Sequence, residues 1–343
     1  MSGSDKTRLK NALITAAFPC TAWIFMEILC GIRMGRHVFS TILDVQNYAR
    51  NVGIAACTAL ALSYNLGQGR FDLSLGAQRM LVAIIGGNLA IQLGLGTPGV
   101  ILFAFLFGLI AGGLVGIIFV ATRIPAMVLG VGMALVYECI AFVGSKSQGL
   151  HLFGVKGVEN LSNMYLTIWV VLGAVLFVMI IDRYTKFGFY ARAINGSQRI
   201  AHNCGINIFA HGVGCYTIAG GLVSFSGVFD AAFQGGMDAT MGFSSNSAVM
   251  SSCFPMFLGK FMSRWSSDAV GILFATMTII LFQTGLSVVK VSATGQQVFT
   301  MSLFLVFLII RANEHVFKIR RVRKKRIAEA MEKRALVQGV VYG

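Results

Sequence analysis

Charged side chains are scarce in this chain of 343 residues: Asp, Glu, Lys and Arg make up 12% of it, whereas hydrophobic residues make up 56%. A soluble protein of this length needs far more charged residues to cover its water-facing surface. The composition therefore excludes the ordinary class of soluble multidomain proteins. It predicts a protein that lies within a lipid bilayer.

Local sequence signatures of catalysis are also missing. The chain has no G-x-x-x-x-G-K-[ST] loop for phosphates and no G-x-S-x-G nucleophile motif, and its seven cysteines form no C-x-x-C and no metal spacing with the five histidines. We therefore expect no catalytic residues, no metal site and no cofactor in this chain. The net charge of +15 is not concentrated in a basic domain with interleaved aromatic residues, so we expect no nucleic-acid partner.

Long stretches without any Asp, Glu, Lys or Arg follow one another along the chain. Each reaches roughly the 20 residues that a helix needs to cross the hydrocarbon core of a bilayer. Because lipid offers no hydrogen-bond partners, such a segment has to satisfy its backbone groups internally, as a helix does. The charge-free stretches are residues 94–122, 160–181, 200–229, 239–259, 269–289 and 291–310.

The hydrophobic pattern predicts an all-α polytopic membrane protein with about ten transmembrane helices. With the C-terminus in the cytosol, 21 of the 28 Lys and Arg residues fall on the inner face, so the positive-inside rule predicts that both termini are cytoplasmic. The stretches 67–76 and 243–259 are expected either to span or to re-enter the membrane. The ten helices are predicted near residues 11–32, 45–66, 74–95, 98–122, 125–144, 162–181, 206–231, 243–259, 268–289 and 292–310.

Two domains follow from this pattern. Residues 1–310 are predicted to form a transmembrane domain, with a cytosolic loop at about 183–206. Residues 311–343 are predicted to form a basic cytosolic amphipathic tail, because residues 311–334 carry 10 basic and three acidic side chains with apolar positions at near-helical spacing. The tail is expected to anchor the protein on anionic lipid or to contact a cytosolic partner.

Polar groups inside a membrane are costly and therefore indicate function or structural pairing. Asp72 follows a glycine-interrupted run at residues 65–71, which is typical of broken helices that border a transport pathway. The same spacing also suits an ordinary cytosolic turn in which Asp72 caps the next helix. Arg50 and Glu138, within predicted spans, either form a structural ion pair or line a pathway.

Two further patterns predict local structure. Gly108, Gly112 and Gly116 form a small-xxx-small series on one helix face, which predicts close packing against another helix. In the cytosolic loop, Ser197 suits an N-cap and Gly205 suits the residue just past a helix C-terminus, so a helix of about two turns is predicted between them. Such a helix is too short to be stable alone and is expected to dock on a partner.

Over roughly residues 37–311, the chain resembles the permease subunits of ribose/galactose-type sugar ABC importers. Asn47-Tyr-Ala-Arg50 is similar to an Asn-x-x-Arg motif of that family. Residues 69–76 resemble its Gly-Gly-Ile-Asp-Leu-Ser-x-Gly motif, and residues 188–206 resemble its cytosolic loop, which is the coupling helix that docks on the ATPase.

The resemblance implies an ABC importer permease fold in a bacterial inner membrane and a set of candidate site residues. Asn47, Arg50, Asp72, Ser74 and Glu138 are the candidate residues of the substrate pathway. The candidates for coupling to the ATPase are Arg192, Asn195, Gly196, Ser197, Arg199, Ile200, Ala201 and Gly205.

The expected partners are an ABC ATPase subunit that holds ATP and Mg²⁺, a second permease subunit, an extracytoplasmic solute-binding protein and membrane lipid. The permease pair is either a homodimer or, as we favour, a heterodimer, since the chain departs from the family pattern. Arg70 stands at the second glycine of its motif, Glu138 stands where many members have Arg, and Arg199 replaces a Glu of the coupling segment.

Three other classes compete with this interpretation. A secondary transporter would need buried titratable groups as an ion relay, and the charge-free spans argue against one. The alternatives from a different class are a membrane-embedded enzyme and a non-transport scaffold. An enzyme needs a cluster of His, Asp and Glu within the spans, and the sequence shows no such cluster.

Overall fold

The computed structural model describes residues 3–314 together with residues 319, 323, 326 and 327. The chain divides into two compact units, Met1–Ser292 and Ala293–Gly343. Apart from residues 311–314, 319, 323, 326 and 327, the predicted basic tail at 311–343 lies outside the described residues, and it stays a prediction.

The described part of the first unit is a helical bundle. Two strands of two residues each, β1 (Leu150–His151) and β2 (Gly236–Met237), pair in antiparallel fashion beside it. The helices are α1 (Gly3–Met34), α2 (Ile42–Gly67), α3 (Leu75–Gln92), α4 (Gly96–Thr122), α5 (Ala126–Gly144), α6 (Met164–Tyr184), α7 (Lys186–Gly196), α8 (Gln198–Asn203), α9 (Ile208–Gln234), α10 (Ser247–Met262) and α11 (Asp268–Val288). The second unit contains α12 (Ala293–Ala312).

Among the residues that the structure describes, seven helical segments are long and apolar enough to cross a membrane. This finding confirms the predicted class, an all-α polytopic membrane protein. The helices α2, α3 and α10 lie where the sequence predicts helices but are shorter or more polar than the others. The seven segments are Leu13–Met34, Gly96–Thr122, Ala126–Gly144, Met164–Tyr184, Ile208–Gln234, Asp268–Val288 and Ala293–Ala312.

Close packing between α4 and α9 confirms the predicted role of the glycine series. A Cβ atom on Gly108 would lie 2.5 Å from the carbonyl oxygen of Gly220, and one on Gly116 would lie 2.9 Å from Cα of Val213. At Gly112 the added atom would collide with the carbonyl oxygen of Tyr216. Small residues therefore let two backbones approach where lipid gives no hydrophobic driving force between helices.

Local hydrogen bonds define where several helices begin. Thr41 and Asp44 form a capping box at the start of α2: the Asp44 N–H donates to Thr41 Oγ1 at 3.3 Å, and the Thr41 N–H donates to Asp44 Oδ2 at 2.8 Å. The helix α7, which the sequence analysis did not predict, begins after Thr185, whose hydroxyl accepts a hydrogen bond from the Gly188 N–H at 3.3 Å. The sequence analysis missed α7 because only one residue, Thr185, separates it from α6.

Candidate functional site

The α2–α3 connector, residues 68–74, runs inside the bundle alongside α9. A Cβ atom on Gly212 would lie 2.6 Å from Nη1 of Arg70, whereas Gly227 packs against the backbone of Arg79. On a helix these two glycines are about 22 Å apart, at 1.5 Å per residue. The chain from Arg70 to Arg79 therefore travels along α9 and does not form an exposed turn. The stretch after Gly67 is irregular and turns back into the bundle before α3 begins.

Asp72 lies at the centre of this connector and is only 1% exposed. Its carboxylate accepts hydrogen bonds from the N–H and hydroxyl of Ser74, at 2.9 and 2.6 Å, and from Nδ2 of Asn65 at 3.1 Å. Gln78 extends the network by donating to Ser74 Oγ at 2.7 Å. The N-cap of α3 is Ser74. Asp72 therefore shapes the turn that leads into α3 instead of capping the helix itself.

The network around Asp72 contains more acceptors than donors. Asn65 Oδ1 and Gln78 Oε1 are buried without a hydrogen-bond partner. Arg70 is the cationic residue nearest to Asp72 in the sequence. Its guanidinium donates to Gln68 Oε1 at 2.8 Å and to the carbonyl of Ile208 at 3.2 Å. The Asp72 carboxylate is thus stabilised by hydroxyl and amide donors, as a buried charge requires.

Glu138 performs a similar task for the segment before α10. It is fully buried, and its carboxylate accepts hydrogen bonds from the Phe243 N–H at 2.7 Å and from the N–H and hydroxyl of Ser245 at 3.1 and 2.6 Å. The predicted helix at 243–259 therefore begins later, at Ser247, after an irregular stretch that ends in a single 3₁₀ turn, Ser244–Asn246, and folds against α5. Gly76 meets this stretch, because its Cβ would lie 2.5 Å from the Ser245 carbonyl oxygen.

The helix α5 connects the two irregular segments. Besides Glu138 it carries Gly130, where a Cβ atom would lie 2.7 Å from the backbone N of Leu73 and 3.3 Å from Asp72 Oδ1. Three of the five predicted pathway residues, Asp72, Ser74 and Glu138, therefore belong to one buried polar region between α3, α5 and α10.

The other two predicted pathway residues lie apart from this region. Asn47 is exposed on α2, and the half-buried Arg50 places its guanidinium 5.7 Å from the ring centroid of Phe233. The alternative of an ion pair between Arg50 and Glu138 was wrong, since within residues 3–314 no salt bridge joins them. Arg79 on α3 forms a salt bridge with Asp230 on α9.

The predicted coupling segment contains the expected short helix, α8. Ser197 is its N-cap and accepts a hydrogen bond from the Ile200 N–H at 3.4 Å, and Gly205 follows its C-terminus with φ +82°. Ala201 is 2% exposed and faces the bundle, whereas Ile200 is 65% exposed. Of the remaining predicted residues, Ser197 is half-buried and the exposed ones are Arg192, Asn195, Gly196, Arg199 and Gly205.

Two residues that the sequence analysis did not select, Gln198 and Gln68, connect α8 to the connector. Gln198 donates from Nε2 to the Gln68 carbonyl at 2.9 Å. The Gln68 side chain in turn donates to His211 Nδ1 at 3.0 Å and to the Cys215 sulfur at 2.9 Å. His211 stacks on Phe187 of α7 with 4.2 Å between ring centroids. Only the position of Gln68 between Gly67 and Gly69 could have drawn attention to it.

A polar cavity of about 720 Å³ opens at the same end of the bundle, between α2, α6, α7 and the α10–α11 turn. Its lining carries both signs of charge, with Asp182 and Asp268 opposite Arg192 and Lys260. Tyr64 donates a hydrogen bond to Asp182 at 3.1 Å. In the described part of the chain, no group of three or more His, Cys, Asp or Glu residues is placed to hold a metal ion.

Comparison with known proteins agrees with this architecture. Residues 44–310 match the family model of the branched-chain amino acid transport system / permease component. The chain is 21% identical over 282 residues to the ribose import permease protein RbsC of Escherichia coli K12, and the match covers 79% of this chain and 86% of the relative. The same protein from Escherichia coli O157:H7 matches equally. The chain therefore belongs to the family of branched-chain amino acid transport system permease components and is a membrane permease subunit.

Proposed function

We propose that this chain is the membrane-spanning subunit of an ATP-driven ABC importer for a sugar or a similar small polar solute. The similarity to the ribose import permease protein RbsC supports the substrate class, and the motifs at residues 69–76 and 188–206 support the transporter class. Ten helices, α1 to α6 and α9 to α12, cross the membrane in this proposal. ATP and Mg²⁺ bind to a separate ATPase subunit, since the sequence lacks a phosphate-binding loop.

The observation that carries this proposal is the exposed helix α8. It has six residues, is held by a cap at each end, and presents Arg199 and the apolar Ile200 outward. A helix of this length is not stable by itself, and a 65% exposed Ile on it suits burial by a partner. Phe189 and Tyr190 on α7 are 61% and 38% exposed and extend the apolar surface. We infer that the ATPase docks on this surface.

The proposed orientation places α7, α8 and both termini in the cytoplasm of a bacterial cell, with the protein in the inner membrane. The support is the positive-inside rule, because Arg183 lies in the last turn of α6 and Lys186, Arg192 and Arg199 lie between α6 and α9. A second permease subunit, which in our proposal differs from this chain, and an extracytoplasmic solute-binding protein complete the assembly.

The translocation pathway in this proposal borders the buried polar region that contains Asp72, Ser74 and Glu138. Irregular backbone at membrane depth is tolerated only where protein buries it or where it lines a water-filled cavity. Transporters use such broken helices to expose backbone groups to their substrate. The connector before α3 and the segment before α10 both have this character, and they meet where Gly76 contacts Ser245.

The docking proposal is tested by charge reversal on α8. We expect Arg199→Glu and Ile200→Asp each to reduce co-purification of the cognate ATPase or to uncouple ATP hydrolysis from uptake, while membrane insertion stays intact. Lys156→Glu provides the control, because it makes the same charge change at an exposed position near β1.

Full complex formation and transport in both α8 variants would rule out α8 as the docking element. Uptake that continues without ATP and follows an ion gradient would instead favour a secondary transporter.

A further inference from the structure

We propose that the hydrogen bond from Gln198 to Gln68 transmits the movement of α8 to the α2–α3 connector, which makes Gln198 a positioning residue for transport. This inference rests on the proposed function, in which the ATPase docks on α8. It adds a route by which that docking acts on the polar region around Asp72.

The contact between α8 and the connector occurs at a backbone group that needs a partner. Gln68 is the C-cap of α2, and the last carbonyls of a helix have no intrahelical donor. Gln198, the first residue of α8, supplies the donor through Nε2 at 2.9 Å. Gln68 is only 3% exposed, so this bond reaches from an exposed helix into the interior of the bundle.

Two glycines lie where the docking segment, α7 and α8, meets the end of α2 and the connector. A Cβ atom on Gly67 would lie 2.7 Å from Lys260 Nζ and 3.3 Å from Asn195 Nδ2, whereas one on Gly69 would be in ordinary contact with Gln198 Nε2 at 3.9 Å. Gly69 also has φ +75°, a conformation that side chains other than glycine rarely adopt. The turn after α2 is therefore shaped around the beginning of α8.

Displacement of Gln68 would pass directly into the connector. Arg70 donates to Gln68 Oε1 at 2.8 Å and to the Ile208 carbonyl at 3.2 Å. Two residues later the connector reaches Asp72, which holds Ser74 at the start of α3. The N–H groups of Gln68, Gly69 and Arg70 donate to carbonyls in the last turn of α2, at 3.2, 3.0 and 3.0 Å. Among the described residues, positions 71–73 make no backbone–backbone hydrogen bond, so no continuous ladder joins α2 to α3.

The helix α7 is anchored on α9. His211 Nε2 bonds to the Phe187 carbonyl at 3.0 Å, and the two rings stack at 4.2 Å. Because α7 and α8 are separated by Ser197 alone, the docking segment contacts α9 through Phe187 and the connector through Gln198. A movement of α8 relative to α9 is thereby converted into a movement of the connector.

The bond can be removed without unfolding α8. The caps of α8 involve Ser197 and Gly205, and its buried contact is Ala201, so none of them uses the Gln198 side chain. Gln198→Glu keeps the shape and removes the donor, whereas Gln198→Arg restores a donor. Asn203→Asp makes the same amide-to-carboxylate change at an exposed position of α8.

The experiment measures hydrogen exchange of residues 66–76 in the complex with its cognate ATPase, with and without ATP and Mg²⁺. In the wild type we expect the exchange rate of this segment to change on nucleotide binding. In Gln198→Glu we expect this change to shrink about fivefold, corresponding to about 1 kcal/mol, with ATPase binding retained. Gln198→Arg and Asn203→Asp are expected to behave as the wild type.

Three results would overturn the inference, and they are distinguishable. An unchanged nucleotide response in Gln198→Glu refutes the transmitting role and leaves the proposed function standing. Loss of ATPase binding in Gln198→Glu alone makes Gln198 a docking residue instead. A wild-type chain that binds no ATPase refutes the proposed function, and this inference with it.

Discussion

The Glu138 carboxylate on α5 holds Ser245 through two hydrogen bonds, one from the backbone N–H at 3.1 Å and one from the hydroxyl at 2.6 Å. Asp72 holds Ser74 by the same pair of donors, at 2.9 and 2.6 Å. In both places a buried carboxylate organises an irregular segment just before a helix begins. Gly76, in the first turn of α3, packs against the backbone of Ser245, so the start of α3 and the segment before α10 form one structural unit.

Replacing Glu138 by Gln should destabilise this unit. The amide has one acceptor oxygen in place of two, so the N–H of Phe243 or of Ser245 loses its partner inside the bundle. An unsatisfied buried donor costs about 1–3 kcal/mol, and we expect a lower apparent melting temperature in detergent. Glu159→Gln, at an exposed position, is the control. Equal melting temperatures for both variants would contradict the structural role of Glu138.

Asp72→Asn separates the two interpretations of the connector. The new amide can donate to Asn65 Oδ1, which is buried without a partner, so we expect insertion and assembly to be retained. If the connector borders the pathway, uptake of the transported solute by cells should fall. The matched control is Asp238→Asn, which removes a charge at an exposed position. Wild-type uptake kinetics in Asp72→Asn would leave Asp72 with a purely structural role.

The contact between α4 and α9 should tolerate no side chain at Gly112. In Gly112→Val the new atoms meet the Tyr216 carbonyl, which is backbone and cannot rotate away. Overpacking of this kind costs about 1–3 kcal/mol or more, and we expect a lower yield of monodisperse protein in size-exclusion chromatography. Gly173→Val, on α6 with nothing within 4 Å of its Cβ position, should give the wild-type yield. Equal yields of monodisperse protein for Gly112→Val and Gly173→Val would contradict the predicted packing.

The salt bridge between Arg79 and Asp230 should show strong coupling in a double-mutant cycle. Both side chains are largely buried, at 10% and 20% exposed. Arg79→Met leaves the Asp230 carboxylate without its cation, and we expect a loss of about 3 kcal/mol in unfolding free energy. Adding Asp230→Leu should recover part of this loss, because no unpaired charge remains. Strictly additive effects in urea unfolding would argue against the pairing.

Local sequence information was sufficient to place most of the helices, although not α7, and to predict the caps of α8. Charge-free runs of about 20 residues form helices in lipid because no other local structure satisfies their backbone groups. Ser197 and Gly205 bracket α8 because both act within one turn of their own positions. The spacing of Gly108, Gly112 and Gly116 likewise placed them on one helix face before their partner was known.

The buried polar contacts were decided only by the tertiary structure. Glu138 and Ser245 are 107 residues apart in the sequence, and Gln68 and Gln198 are 130 residues apart. An ion pair between Arg50 and Glu138 was one of two interpretations that the sequence left open, but packing places Arg50 against Phe233. Which polar groups meet depends on how glycine faces bring helices together, and no local pattern carries that information.

The composition of the sequence alone determined that this protein lies in a membrane, because a chain with 12% charged residues cannot cover a surface in water. Only the tertiary structure decided that residues 68–74 turn back along α9 and receive a hydrogen bond from α8. The physical reason is that a run containing Gly67 and Gly69 is compatible with both a surface turn and a buried connector. The choice between them depends on distant residues that supply its hydrogen-bond partners.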